Sequence, residues 1–75
     1  MNHLSQELYE SLQMKYKTEI QQYKTTLIIF FEQSVGIGDH ANHLDEMNLL
    51  LEKMTSANDK LKMLNQSFGK IYAKL

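Results

Sequence analysis

The 75-residue chain carries eight lysines, nine acidic residues and a formal net charge of −1, with no cysteine, proline, tryptophan or arginine. Such a length allows one domain with a marginal core, and the missing cysteine excludes disulfides, thiolate metal sites and cysteine nucleophiles. The balanced charge gives no field toward nucleic acid or an anionic membrane. The longest apolar run, Leu27 to Phe31, is far below the roughly 20 residues that a bilayer span needs.

The N-terminus lacks a basic segment followed by an apolar one, so it does not read as a signal peptide, and a cytoplasmic location is expected. Met1-Asn2-His3 puts a histidine third from an amine, a geometry that can hold Cu(II) or Ni(II). Any chain with histidine at that position shares it, so it carries no weight.

Residues from about 4 to 35 are predicted to form the first helix. Leu4, Leu8, Leu12, Tyr16 and Ile20 recur every four residues, then Tyr23, Leu27, Phe30 and Ser34 by 3-4 steps. A run of fours drifts against a heptad, so the apolar stripe is expected to slide around the helix toward its N-terminus. The β-branched and aromatic residues from Thr25 to Phe31 would also suit a strand. The helical stripe runs through them, however, and a lone strand would have nothing to pair with.

The centre, Val35-Gly36-Ile37-Gly38-Asp39-His40, reads as stop, turn, start. Gly36 can close a helix in the left-handed conformation, Ile37 can pack back on Phe31, and Asp39 can cap the next helix. The turn is placed at residues 36–40. Gly36-x-Gly38-x-x-Ala41 imitates a dinucleotide fingerprint, but that motif works only after a strand in a βαβ unit, and no room remains for one.

The second helix is predicted over about 41–74. Met47, Leu50, Met54, Ala57, Leu61, Leu64, Phe68, Ile71 and Leu75 form an unbroken 3-4 seam, the signature of one helix packed along another. Gly69 lies off this seam with no evident reason. Folding at residue 38 puts Leu8 opposite Phe68, Leu12 opposite Leu64, Ile20 opposite Ala57 and Leu27 opposite Leu50. The expected fold is therefore all-α, an antiparallel two-helix hairpin forming a single domain.

Two helices make one seam, and near the turn the apolar residues exceed it. Leu27 to Phe31 go right round helix 1, at about 100° per residue, and Leu44, Met47, Leu49, Leu50 and Leu51 lie opposite. A helix apolar all round is normally buried all round. A homodimer, most economically a four-helix bundle, or another protein is therefore expected to cover Leu27, Ile28, Phe30, Phe31, Met47, Leu50, Leu51 and Met54.

Other chemistries have weaker support. His40, His43 and Glu46 would line one helix face and are the candidate divalent-metal ligands; the same residues also read as a polar helix N-terminus. Serine, histidine and carboxylates occur, but a rod offers no cleft to bring them together, so no enzymatic activity and no cofactor are expected. Lys60, Lys62, Lys70 and Lys74, with Lys15, Lys17, Tyr16 and Tyr72, are the candidate nucleic-acid contacts. Glu7, Glu10, Glu19 and Asp59 share that end, and arginine, the usual fork for phosphate, is absent. A protein partner, the chain itself included, ranks above nucleic acid.

Residues 30 to 68 resemble small helical proteins of T4-like tailed phages. The likeness rests on Val35-Gly36-Ile37-Gly38-Asp39-His40, Leu44-Asp45-Glu46-Met47, Leu50-Leu51 and Ala57-Asn58-Asp59-Lys60-Leu61. In that group a V-G-x-G turn similarly precedes an acid, a histidine and an acidic amphipathic helix. The family has no assigned function and so carries over no site residues. The resemblance implies a phage gene expressed in a bacterial host cytoplasm.

Overall fold

The computed structural model describes residues 3–33 and 40–73, without the side chains of His40 and Ala41. It contains two helices, α1 (His3–Gln33) and α2 (His40–Tyr72), packed against each other. At ~1.5 Å per residue the 31 residues of α1 span about 46 Å, and the whole hairpin measures 57 × 16 × 13 Å. The proposed roles of Gly36, Ile37 and Asp39 in the turn, and of Ser34 and Leu75 at seam ends, lie outside the described residues.

The seam of α2 follows the expected positions through its first two-thirds. Met47, Leu50, Met54, Leu61 and Leu64 are half-buried and Ala57 is buried, the most enclosed side chain at 2% exposure. On α1, Tyr16, Ile20, Tyr23 and Phe30 are half-buried and Leu27 is buried. Large residues on α1 thus close over a small one on α2, as ridges fit grooves.

Toward the open end the hairpin departs from the sequence pattern. Leu4, Leu8 and Leu12 are exposed, and the seam instead runs back from Tyr16 through Gln13 and Tyr9. On α2 it turns correspondingly from Phe68 and Ile71, both about half exposed, to Gly69 and Tyr72. The physical reason is a polar cluster across the two helices. The Tyr9 hydroxyl donates to Asn65 Oδ1, and Gln13 Nε2 donates to the same oxygen at 2.6 Å and to Tyr9 Oη at 3.2 Å. Tyr9, 4% exposed, also stacks obliquely on Tyr72 with centroids 6.2 Å apart, and Tyr72 on Phe68 at 6.4 Å. A ring with a satisfied hydroxyl buries more surface than a leucine at the same place, so α1 keeps its 3-4 register and takes Tyr9 inward in place of Leu8 and Leu12.

Gly69 lies beside this cluster. A Cβ there would sit 3.4 Å from the Tyr9 hydroxyl oxygen, along the lane by which Tyr9 reaches Asn65. The distance is an ordinary contact, which a methyl group fits. Gly69→Ala is expected to gain about 1 kcal/mol of helix propensity and raise the thermal midpoint by about 4–8 °C. Gly69→Leu should lower it. A thermal melt followed by circular dichroism checks both, and a destabilised alanine variant would mean that the lane is closed.

Candidate functional site

Three apolar side chains are buried among the described residues, Tyr9, Leu27 and Ala57, which leaves most of their chemistry on the surface. The described surface has no convergent cluster of three or more histidines and carboxylates. His43 is half-buried, its ring edge-on to Phe30 with centroids 5.8 Å apart at 76°. Its Nδ1 is buried with no hydrogen-bond partner. Glu46 is exposed, and the His40 side chain lies outside the described residues. The imidazole of His43 thus serves the seam near the turn, and the three proposed ligands are not seen to converge.

The lysine-rich open end is largely occupied by its own structure. Lys60 Nζ lies over the Tyr16 ring, 6.0 Å from its centroid, a weak cation–π contact at an exposed site. Lys15 pairs with Glu19 at 3.0 Å. The hydrogen bond and charge of Glu19 raise the Lys15 ammonium above its usual range. Tyr16 and Tyr72, the rings that would stack on bases, are both half-buried in the hairpin. Lys62 and Lys70 are exposed, and Lys74 lies outside the described residues. No described helix is long and apolar enough to cross a membrane.

What stands out is uncovered apolar surface. Of the eight residues expected to meet another chain, Leu27, Phe30, Met47, Leu50 and Met54 are buried or half-buried in the hairpin's own seam, while Ile28, Phe31 and Leu51 are exposed. Ile29, Leu44 and Leu49 are exposed beside them, and Phe31 and Leu44 are about two-thirds accessible. Six large apolar side chains therefore surround the turn-proximal half. A second group lies at the open end. There Ser5, Leu8, Leu12, Leu64, Phe68 and Tyr72 line a shallow groove of about 250 Å³.

Heptad geometry sorts these residues into two flanks of the hairpin. Leu8 and Ile29 are three heptads apart on α1, and Leu49 and Met63 two heptads apart on α2. Members of each pair occupy one position relative to the seam. Leu8, Leu12, Ile29, Leu49 and Met63 lie on one side of the seam; Ile28, Phe31, Leu44 and Leu51 lie on the other. The sequence pattern pointed to excess apolar surface near the turn but not to the open-end groove, because Leu8, Leu12 and Phe68 were assigned to the seam.

Comparison with family models, with curated proteins and with solved structures gives no match.

Proposed function

We propose that the chain is a non-enzymatic protein–protein interaction module that acts as a homo-oligomeric helical bundle. The observation that carries this reading is the amount of apolar surface left open. The chain exposes 5802 Å², against about 4,800 Å² expected for a folded monomer of its 8.8 kDa mass. That excess of roughly 1,000 Å² counts polar and apolar atoms together and follows from the elongated 57 × 16 × 13 Å shape; its apolar part is carried by side chains such as Phe31 and Leu44, each about two-thirds exposed. Exposed apolar side chains scattered singly need no explanation, but six around one end and a groove at the other form patches of the kind that mark association sites.

The likeness of residues 30 to 68 to small phage proteins suits such a role, as an accessory, regulatory or assembly factor in the host cytoplasm. Half-burial of Tyr16 and Tyr72 within the hairpin disfavours base stacking at the lysine-rich end.

The test is the mass in solution at micromolar concentration, by light scattering or sedimentation. A dimer or larger species is expected, and a species of 8.8 kDa alone would remove the reading. Phe30 and Leu50 are poor positions for a disruptive charge, because both help to hold the hairpin itself. Ile29→Asp with Leu49→Asp addresses one exposed flank, and Phe31→Asp with Leu51→Asp the other. At least one pair should lower the mass while helicity is retained. Full-size oligomers in both would displace the contact from the turn-proximal half.

A further inference from the structure

We infer that two copies dock antiparallel, the turn end of each lying along the open end of the other, through the flank that carries Leu8, Ile29, Leu49 and Met63. This rests on the self-association proposed above and specifies its geometry. The occupant of the open-end groove is then the turn-proximal part of a second copy.

The positions of the exposed residues match such a two-fold arrangement. Leu8 and Ile29 are equidistant in sequence from the Thr18–Glu19 step, and Leu49 and Met63 from Ser56. The contact of Lys60 with Tyr16, and those of Asn65 with Tyr9 and Gln13, set these two midpoints at nearly the same level of the hairpin. A two-fold axis crossing the rod at that level lays α1 on α1 and α2 on α2 of the second copy. It brings Leu8 to the level of the second copy's Ile29, and Leu49 to that of its Met63. All four side chains are exposed, and Leu12 and Phe68 extend the apolar strip at its ends.

Charge selects this orientation over the parallel one, in which turn meets turn. Apolar groups would also meet apolar groups in the parallel form, so burial alone does not decide. Residues 32–52 hold Glu32, Asp39, Asp45, Glu46 and Glu52 and no lysine, whereas Lys60, Lys62, Lys70 and Lys74 gather on the last part of α2 and beyond it. Counted over both helices, residues 19–55 carry a net charge of −4 and the rest of the chain +3, so parallel docking, which lays α1 on the partner's α2, sets like net charge against like. Antiparallel docking opposes the two signs, and the central level does so residue by residue: Glu52 and Lys60 are equidistant from Ser56, as are Lys53 and Asp59. All four are exposed. Each copy therefore sets Glu52 at the level of the other's Lys60, and Lys53 at that of its Asp59. Exposed pairs of this kind contribute little affinity singly, but they fix register and reject like-charge alignments.

The chain has no cysteine, so Glu32→Cys, at an exposed position near the turn, takes a single nitroxide label. Pulsed dipolar spectroscopy then reads the label–label distance in the full-length oligomer. Antiparallel docking sets the two labels on opposite ends, about 40 Å apart at ~1.5 Å rise per residue. A parallel dimer holds them within about 25 Å, given helices packed 8–10 Å apart. A main distance near 40 Å in a sample of dimer mass supports the proposal. A distance within about 25 Å in such a sample overturns the antiparallel geometry and leaves self-association standing. A monomer mass with no intermolecular dipolar signal overturns both.

Discussion

Tyr9→Ala is expected to be the most damaging single truncation in the chain, costing about 3–5 kcal/mol, the range for loss of a large buried aromatic. A domain of this length has a total stability of only about 4–11 kcal/mol at the usual ~0.05–0.15 kcal/mol per residue, so the loss removes from about a quarter to all of it. Three effects converge at this position. The ring is the largest of the three side chains buried among the described residues. It packs against Tyr72, and its hydroxyl joins Gln13 on the single acceptor oxygen of Asn65. Tyr9→Phe separates these contributions. It keeps the ring, and Gln13 still donates to Asn65, so the loss should be only about 0.5–1.5 kcal/mol. Chemical denaturation followed by far-ultraviolet circular dichroism measures both. A Tyr9→Ala variant as stable as the parent would mean that α1 presents Leu8 and Leu12 to α2 instead.

The same position marks where the fold stops being legible in the sequence. From Tyr16 to Phe30 and from Met47 to Leu64, apolar side chains recur at the heptad spacing, and the hairpin buries or half-buries them. Hydrophobic periodicity is sufficient there because nothing else competes for the seam. Nearer the open end, Leu4, Leu8 and Leu12 form the more apolar row, yet Tyr9 and Gln13 go inward. A hydropathy pattern counts Gln13 and Asn65 as outward residues; it cannot register that the Gln13 amide and the Tyr9 hydroxyl both find Asn65 across the two helices, 52 and 56 residues along the chain. The signal was available in another form. Continuing the 3-4 spacing of Tyr16, Ile20, Tyr23, Leu27 and Phe30 backwards lands on Gln13 and Tyr9. For the candidate interface, composition near the turn pointed to excess apolar surface. Which of those residues face outward depends on helix rotation, which a run that is apolar all round does not fix by itself.

Leu27→Ala is expected to cost about 2–5 kcal/mol, as for a buried leucine whose site cannot fully collapse. Leu27 is 6% exposed and lies within the apolar run that encircles α1. Its neighbours in the run, Ile28 and Ile29, are exposed, so adjacent residues of like chemistry separate two kinds of stability. Loss of Leu27 removes packing between the two helices of one hairpin, and the thermal midpoint should fall at every protein concentration. Ile29→Ala removes surface buried only on association, so its effect should be largest in concentrated samples and fade on dilution, as mass action requires for binding coupled to folding. Thermal melts across a hundredfold range of concentration distinguish the two. Equal losses from Leu27→Ala and Ile29→Ala at all concentrations would show that Ile29 belongs to the hairpin's own core. The contrast also ties fold to function: a seam one helix-face wide leaves the rest of the apolar run outward, and that remainder is what a second copy can use.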